Sequence, residues 1–158
     1  MYAREIISRL SEVNAESTAI EIQNAIFHKD PLRLRECIQR YLMQTISVYD
    51  GSGEAFYHGL MLGLCAILNN RYAVRSNRES GYGRFDIQLL PLHAGLPGFL
   101  FELKASKDPG EDLDALAEAA LKQIDEKQYA AEMNADGVSE IIRVGIAFRG
   151  KQIAVRSC

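Results

Sequence analysis

GYGRFDIQLLPLHAGLPGFLFELKAS, residues 81–106, holds two apolar runs around a turn-forming LHAGLPG. Both runs read as β-strands. Side chains alternate across a strand, so Phe85, Ile87 and Leu89 share one face of the first run. Asp86, Gln88 and Leu90 share the other. In GFLFELKAS, residues 98–106, Phe99, Phe101 and Leu103 face one way, and Leu100, Glu102 and Lys104 face the other. The apolar sets must enter a core. A hairpin pairing of the two runs would gather Asp86, Glu102 and Lys104 on one side of a sheet.

Outward from this stretch, RYAVRSN at 71–77 predicts a further strand, and IIRVGIAFRG and KQIAVRS at 141–157 predict two more, joined at Gly150. Between them, a helix is expected from Leu113 to Lys127, extending through YAAEMN before Gly137 stops it. Glu54 to about Asn69 is apolar almost all round and predicts a helix buried on several sides. Gly59 and Gly63, one turn apart, would let it lie close to a neighbour. Upstream, Asp30–Pro31 is an N-cap and first-turn pair. It precedes Leu34, Cys37, Ile38, Tyr41, Leu42 and Thr45 at helical spacing. Ala19, Ile22, Gln23 and Ile26 suggest another helix, and residues 2–12 a shorter one. The expectation is an α/β protein with a mixed sheet: a helical amino-terminal extension, 1–50, and a main domain, 51–158.

The chain's 158 residues, 47% hydrophobic and 25% charged, suit one domain with a sizeable core. The longest apolar stretch, residues 56–68, is too short to span a bilayer. No charged-then-apolar leader opens the sequence, so a cytoplasmic protein without a membrane partner is expected. Cys37, Cys65 and Cys158 are too far apart for a zinc site by themselves, and the first two fall on apolar helix faces as core thiols. The net charge of −3 argues against a dedicated nucleic-acid binder, yet Arg71, Arg75, Arg78 and Arg84 cluster against Glu79 alone. With a Debye length of ~8 Å, such a patch meets phosphate despite the acidic body. Residues 108–126 carry seven acids against Lys122.

Two carboxylates held together repel unless a cation intervenes. Mg²⁺ takes oxygen ligands and suits one or two carboxylates with waters. A lysine beside them would orient water or stabilise a pentavalent phosphate, which is the chemistry of phosphodiester hydrolysis. A solvent-facing Glu–Lys pair accounts for E-x-K equally well.

Asp86 followed by Glu102-Leu103-Lys104 resembles the D…(D/E)-x-K signature of the PD-(D/E)XK nuclease superfamily. YHGLMLGL, SNRESGYGRFD, FELK, QIDEKQY and VGIAFRGK resemble one bacterial branch of it, between about Glu54 and Val155. There the domain usually ends a protein with an AAA-ATPase-like region. The resemblance implies a restriction-endonuclease-like α-β-β-β-α-β core. It also implies that Asp86, Glu102 and the Leu103 carbonyl bind Mg²⁺ (or Mn²⁺), with Lys104 as the catalytic lysine. Glu54 would complete the metal site, often through water; the competing role is to serve the helix dipole. Gln123 would be an accessory polar residue near the lysine, or else a satisfied interior amide. Tyr129 belongs to the same run. Phe85 stands where the superfamily's name has Pro, as in many members, and no G-x-x-x-x-G-K-[ST] run is present.

The resulting expectation is a metal-dependent nuclease, acting on DNA, in which Asp86, Glu102, Lys104, Glu54 and Gln123 form the site. Arg75, Arg78, Arg84 and Tyr129 are the candidate substrate contacts, although Arg84 suits an ion pair with Glu79 better. Gly81 and Gly83 suit a tight turn. His58 reads as a buried, hydrogen-bonded core histidine. The alternative is a catalytically inactive nuclease-fold module that docks an AAA-ATPase-like partner domain or a second copy of itself as a homodimer.

Overall fold

The computed structural model describes residues 17–18, 20–45, 53–76, 87–126 and 129–158. A helical segment at 20–27 leads into α1 (Pro31–Thr45) and α2 (Glu54–Cys65), which ends in a single 3₁₀ turn. Then come β1 (Tyr72–Arg75), β2 (Ile87–Pro91), β3 (Gly98–Ala105), α3 (Leu113–Glu126), α4 (Tyr129–Ala135), β4 (Ile141–Arg149) and β5 (Gln152–Ser157). From α2 to β4 the order is the expected α-β-β-β-α-β, with α4 inserted and β5 appended. The expected short helix at 2–12 lies outside the described residues.

The five strands lie in chain order across one sheet. β1–β2, β2–β3 and β4–β5 are antiparallel, whereas β3–β4 is parallel, so the sheet is mixed. A parallel pair needs a crossover, and α3 with α4 provides it. The β2–β3 hairpin has the register Ile87↔Phe101, Gln88↔Leu100 and Leu89↔Phe99.

Each face of the sheet has its own core. On one, Ile87, Leu89, Phe99, Phe101, Leu103, Val144, Ile146 and Phe148 pack with Leu34, Ile38 and Leu42 of α1 and Tyr57 and Met61 of α2. Tyr57 stacks on Phe148 with ring centroids 4.4 Å apart and donates a hydrogen bond to the Gly150 carbonyl. The other face is smaller: Leu90 and Leu100 meet Leu121, Ile124 and Met133, and Ala147 and Ala154 meet Ala117.

Local chemistry sets the element ends. The Asp30 carboxylate accepts from the Arg33 N–H at 3.0 Å and caps α1, with Pro31 at the first helical position. Asp112 caps α3 in the same way, accepting from the Asp114 and Ala115 N–H groups. Gly137, at φ +88°, closes α4; the N–H groups of Gly137 and Val138 turn back to Asn134 and Met133.

The α2 expectation needs correction. Its buried residues Tyr57, His58, Met61, Leu64 and Cys65 form one face, and Gly59 and Gly63 are exposed on the opposite side. A Cβ at either glycine would meet nothing within 4 Å. The close approaches occur instead at Gly98 and Gly145. Part of the acidic run serves the sheet: Asp125 pairs with Arg143 at 3.3 Å and Asp114 with Arg156 at 3.0 Å. Arg149 donates to the Asp108 and Glu111 carbonyls.

Cys37 and Cys65 are buried free thiols and Cys158 is exposed. Burial pushes the Cys65 thiol from 9.0 up to about 12. It pushes the Tyr72 phenol from 10.0 to about 12, against the lowering effect of Arg71. Both groups hold their proton more tightly folded than unfolded, so their contribution to stability is complete below the unfolded values. It is lost as pH rises through the folded ones. Chemical denaturation at stepped pH should therefore show stability falling between about pH 9 and 12. Cys65 should resist thiol reagents until the chain unfolds. Among the described residues, no helix is long and apolar enough to cross a membrane.

Candidate active site

β3 has both neighbours in the sheet, and its pleat divides its side chains between the two cores. Phe99, Phe101 and Leu103 enter the larger core. Leu100 enters the smaller one, and Glu102 and Lys104 follow it along the same face. Glu102 is 4% exposed, while Lys104 is half-buried. A carboxylate at that depth is costly to desolvate without cationic or hydrogen-bonded company. The solvated Glu–Lys pair on an open sheet face is therefore the weaker account.

β4 and α3 wall the pair on one side. In the parallel register, Glu102 is opposite Gly145 and Lys104 opposite Ala147. α3 settles directly on these small residues. A Cβ at Gly145 would overlap the Ala117 carbonyl oxygen and stand 2.6 Å from the Leu121 nitrogen. The acids Asp114 and Asp125 hold the helix flank toward β4 and β5. Gln123 is half-buried on α3.

On the other side, Ile87 pairs with Phe101, the residue before Glu102. Asp86 precedes Ile87 in sequence and lies outside the described residues, as do Arg78, Arg84, Glu79, Gly81 and Gly83. Gln88, next to Ile87, is 4% exposed and occupies the Glu102 face opposite Leu100. Arg75, at the end of β1, is opposite Gln88 and exposed.

Glu54 is the first residue of α2, exposed, in the layer on the far face of the sheet. Its helix begins near the sheet end that carries Lys104. Tyr57, three residues on, stacks on Phe148, which is opposite Ala105. His58 is buried and within 2.9 Å of the Ser76 hydroxyl through Nε2, which makes it a structural histidine. Leu103 puts its side chain in the larger core and its main chain between Glu102 and Lys104. Tyr129 opens α4, and its side chain lies outside those described. Arg71 covers the Phe27 ring at 4.9 Å from its centroid, a packing role.

The structure thus brings Glu102 and Lys104 together, with Arg75 two strands away on the same face. Among the described residues, no group of three His, Cys, Asp or Glu side chains forms a metal cluster. Two residues of the site stand out only in three dimensions. Gln88 shared the Asp86 face in the alternation, but nothing local distinguished it from a solvated polar residue. Gly145 carried a fainter signal, a lone glycine inside a strand pattern.

A model of the PD-(D/E)XK nuclease superfamily matches residues 52–157, about two-thirds of the chain, from just before α2 to the last residue of β5. A search of curated proteins finds no match.

Proposed function

The chain belongs to the PD-(D/E)XK nuclease superfamily, and on that premise we propose that it hydrolyses phosphodiester bonds in DNA with a divalent metal ion. The observation that carries this reading is the buried Glu102 carboxylate one strand step from a half-buried Lys104, in a sheet of the superfamily's order. Members of the superfamily generally use divalent metals. A hard anionic oxygen in a poorly solvated position fits such an ion. Glu102, Asp86 and the Leu103 carbonyl would hold Mg²⁺ (or Mn²⁺), with Glu54 contributing through water from the sheet end. When bound, the metal supplies positive charge to phosphoryl oxygens and makes water more acidic.

The chain's own groups do the remainder. Lys104 offers an ammonium with three donors on the Glu102 face. It orients the attacking water and stabilises the charge that develops on the phosphoryl oxygens during in-line displacement. Gln123, half-buried on α3, steadies the lysine side of the site. Arg75, with Arg78, Arg84 and Tyr129, would position the substrate backbone without reading sequence.

The test combines plasmid nicking in Mg²⁺ or Mn²⁺ with calorimetric Mn²⁺ titration. Wild type is expected to nick and to bind Mn²⁺, and Asp86→Ala and Glu102→Ala each to weaken that binding at least about tenfold. No divalent-ion binding by the wild type, or undiminished cutting by Asp86→Ala, would sink the proposal. Competition between matched DNA and RNA strands tests the substrate assignment.

A further inference from the structure

A hydrogen bond of 2.9 Å joins the His58 Nε2 and the Ser76 hydroxyl. The histidine is 6% exposed on α2, and the serine directly follows Arg75, the last residue of β1. β1 has four residues and lies at the edge of the sheet, and the ends of such elements fray first. Alternation places Tyr72 and Val74 against the larger core, under α2, and Ala73 against the smaller one. Ser76 therefore turns toward α2, while the exposed Arg75 belongs to the opposite face, in the row with Gln88 and Leu100. That face carries Glu102. α2 gives the bond a firm post, because Tyr57, the residue before His58, stacks on Phe148 of β4 and donates to the Gly150 carbonyl. His58 thus ties the end of the edge strand to a helix anchored three strands away.

Resting on the nuclease reading above, we infer that His58 and Ser76 are positioning residues for nucleic-acid binding: their hydrogen bond holds the end of β1 so that Arg75 meets a phosphate of the substrate backbone. Neither touches substrate. Arg75 is two strands from β3, about 10 Å across the sheet, which suits a phosphate beside the one that Glu102 and Lys104 address. A long side chain gives up rotamer freedom when it grips a ligand, and a backbone already fixed in place lowers the total cost of ordering. The bond that makes His58 structural on one face of the sheet thereby serves binding on the other.

A substitution that changes no charge tests this. Affinity for a fluorescein-labelled duplex oligonucleotide is read by polarisation in Ca²⁺ over a range of NaCl concentrations. Arg75→Ala should weaken binding and make log Kd less steep in log[NaCl] by about one unit of slope. Ser76→Ala should weaken binding about three- to tenfold and flatten the same slope, although it removes no charge. Ser76→Thr, which keeps the hydroxyl, should bind as wild type does. The double variant should bind as Arg75→Ala alone, because both changes remove one contact. In Mg²⁺, KM should rise in Ser76→Ala with kcat unchanged. Wild-type affinity in Ser76→Ala, a loss without a change of slope, losses that multiply in the double variant, or Ser76→Thr as weak as Ser76→Ala each overturns the inference and leaves hydrolysis standing. So does an Arg75→Ala that binds as wild type, or a Ser76→Ala that does not fold. A wild type that binds no oligonucleotide overturns both readings. Coupled losses of binding in a protein that does not cut support the inference and remove hydrolysis alone.

Discussion

Lys104→Ala is expected to lower phosphodiester cleavage by about 10³-fold while leaving the fold and its melting temperature nearly unchanged. Removing one group that stabilises transition-state charge typically costs about 10²–10³ in rate, and the proposed orienting of the attacking water adds to that. The structural side is mild. Lys104 is half-buried, forms no ion pair with a described carboxylate, and is opposite Ala147 rather than a packed aromatic residue. Single-turnover cutting measured beside circular-dichroism melts separates the two effects. A variant that folds and cuts at the wild-type rate would move the chemistry away from this strand.

Gly145→Ala should produce the largest loss of stability of any single methyl group added to the sheet. The new Cβ would meet helix backbone, the Ala117 carbonyl and the Leu121 nitrogen and Cα, none of which can rotate away. Overpacking a tight interior costs about 1–3 kcal/mol, occasionally more, and this case belongs at the upper end. At about 2–4 °C per kcal/mol for a chain of this size, the melting temperature should drop by roughly 6–12 °C. Gly98→Ala is the control. Its first obstacle is Met133 Cε, the end of a flexible side chain, so its loss should be the smaller of the two. Because α3 must lift at the position opposite Glu102, Gly145→Ala should also impair cutting at temperatures where it remains folded. Equal melting temperatures for the two variants would contradict the close docking of α3.

Alternation was the reliable signal in the sequence. It placed Glu102 and Lys104 on one face and Phe99, Phe101 and Leu103 on the other, and the two cores divide along that line. The order of elements along the chain followed from helix and turn punctuation, because caps such as Asp30 and stops such as Gly137 act over a few residues. Tertiary packing was harder to read. Gly59 and Gly63 permit a close neighbour, but the aromatic and aliphatic residues Tyr57, Met61 and Leu64 determine which side of α2 is buried, and the glycines lie opposite. Gly145 earns its place only because a helix 24 residues upstream, at Leu121, returns to rest on it. The burial of Gln88 likewise depends on the whole assembly, since a polar residue in a strand pattern carries no sign of its depth. The resemblance of FELK and its flanking motifs supplied what periodicity lacks, namely a reason to prefer a metal site over a solvated Glu–Lys pair.

The parallel pairing of β3 with β4 also has a consequence for synthesis on the ribosome. Glu102 and Lys104 leave the exit tunnel about forty residues before Gly145 and Ala147, the positions that flank them in the finished sheet. Until then β3 has one open edge, and α3 has no floor beneath it. A nascent chain cannot complete this part of the sheet early, however soon its acidic and basic groups emerge. The second strand neighbour of Glu102 and Lys104 comes only when β4 pairs beside β3.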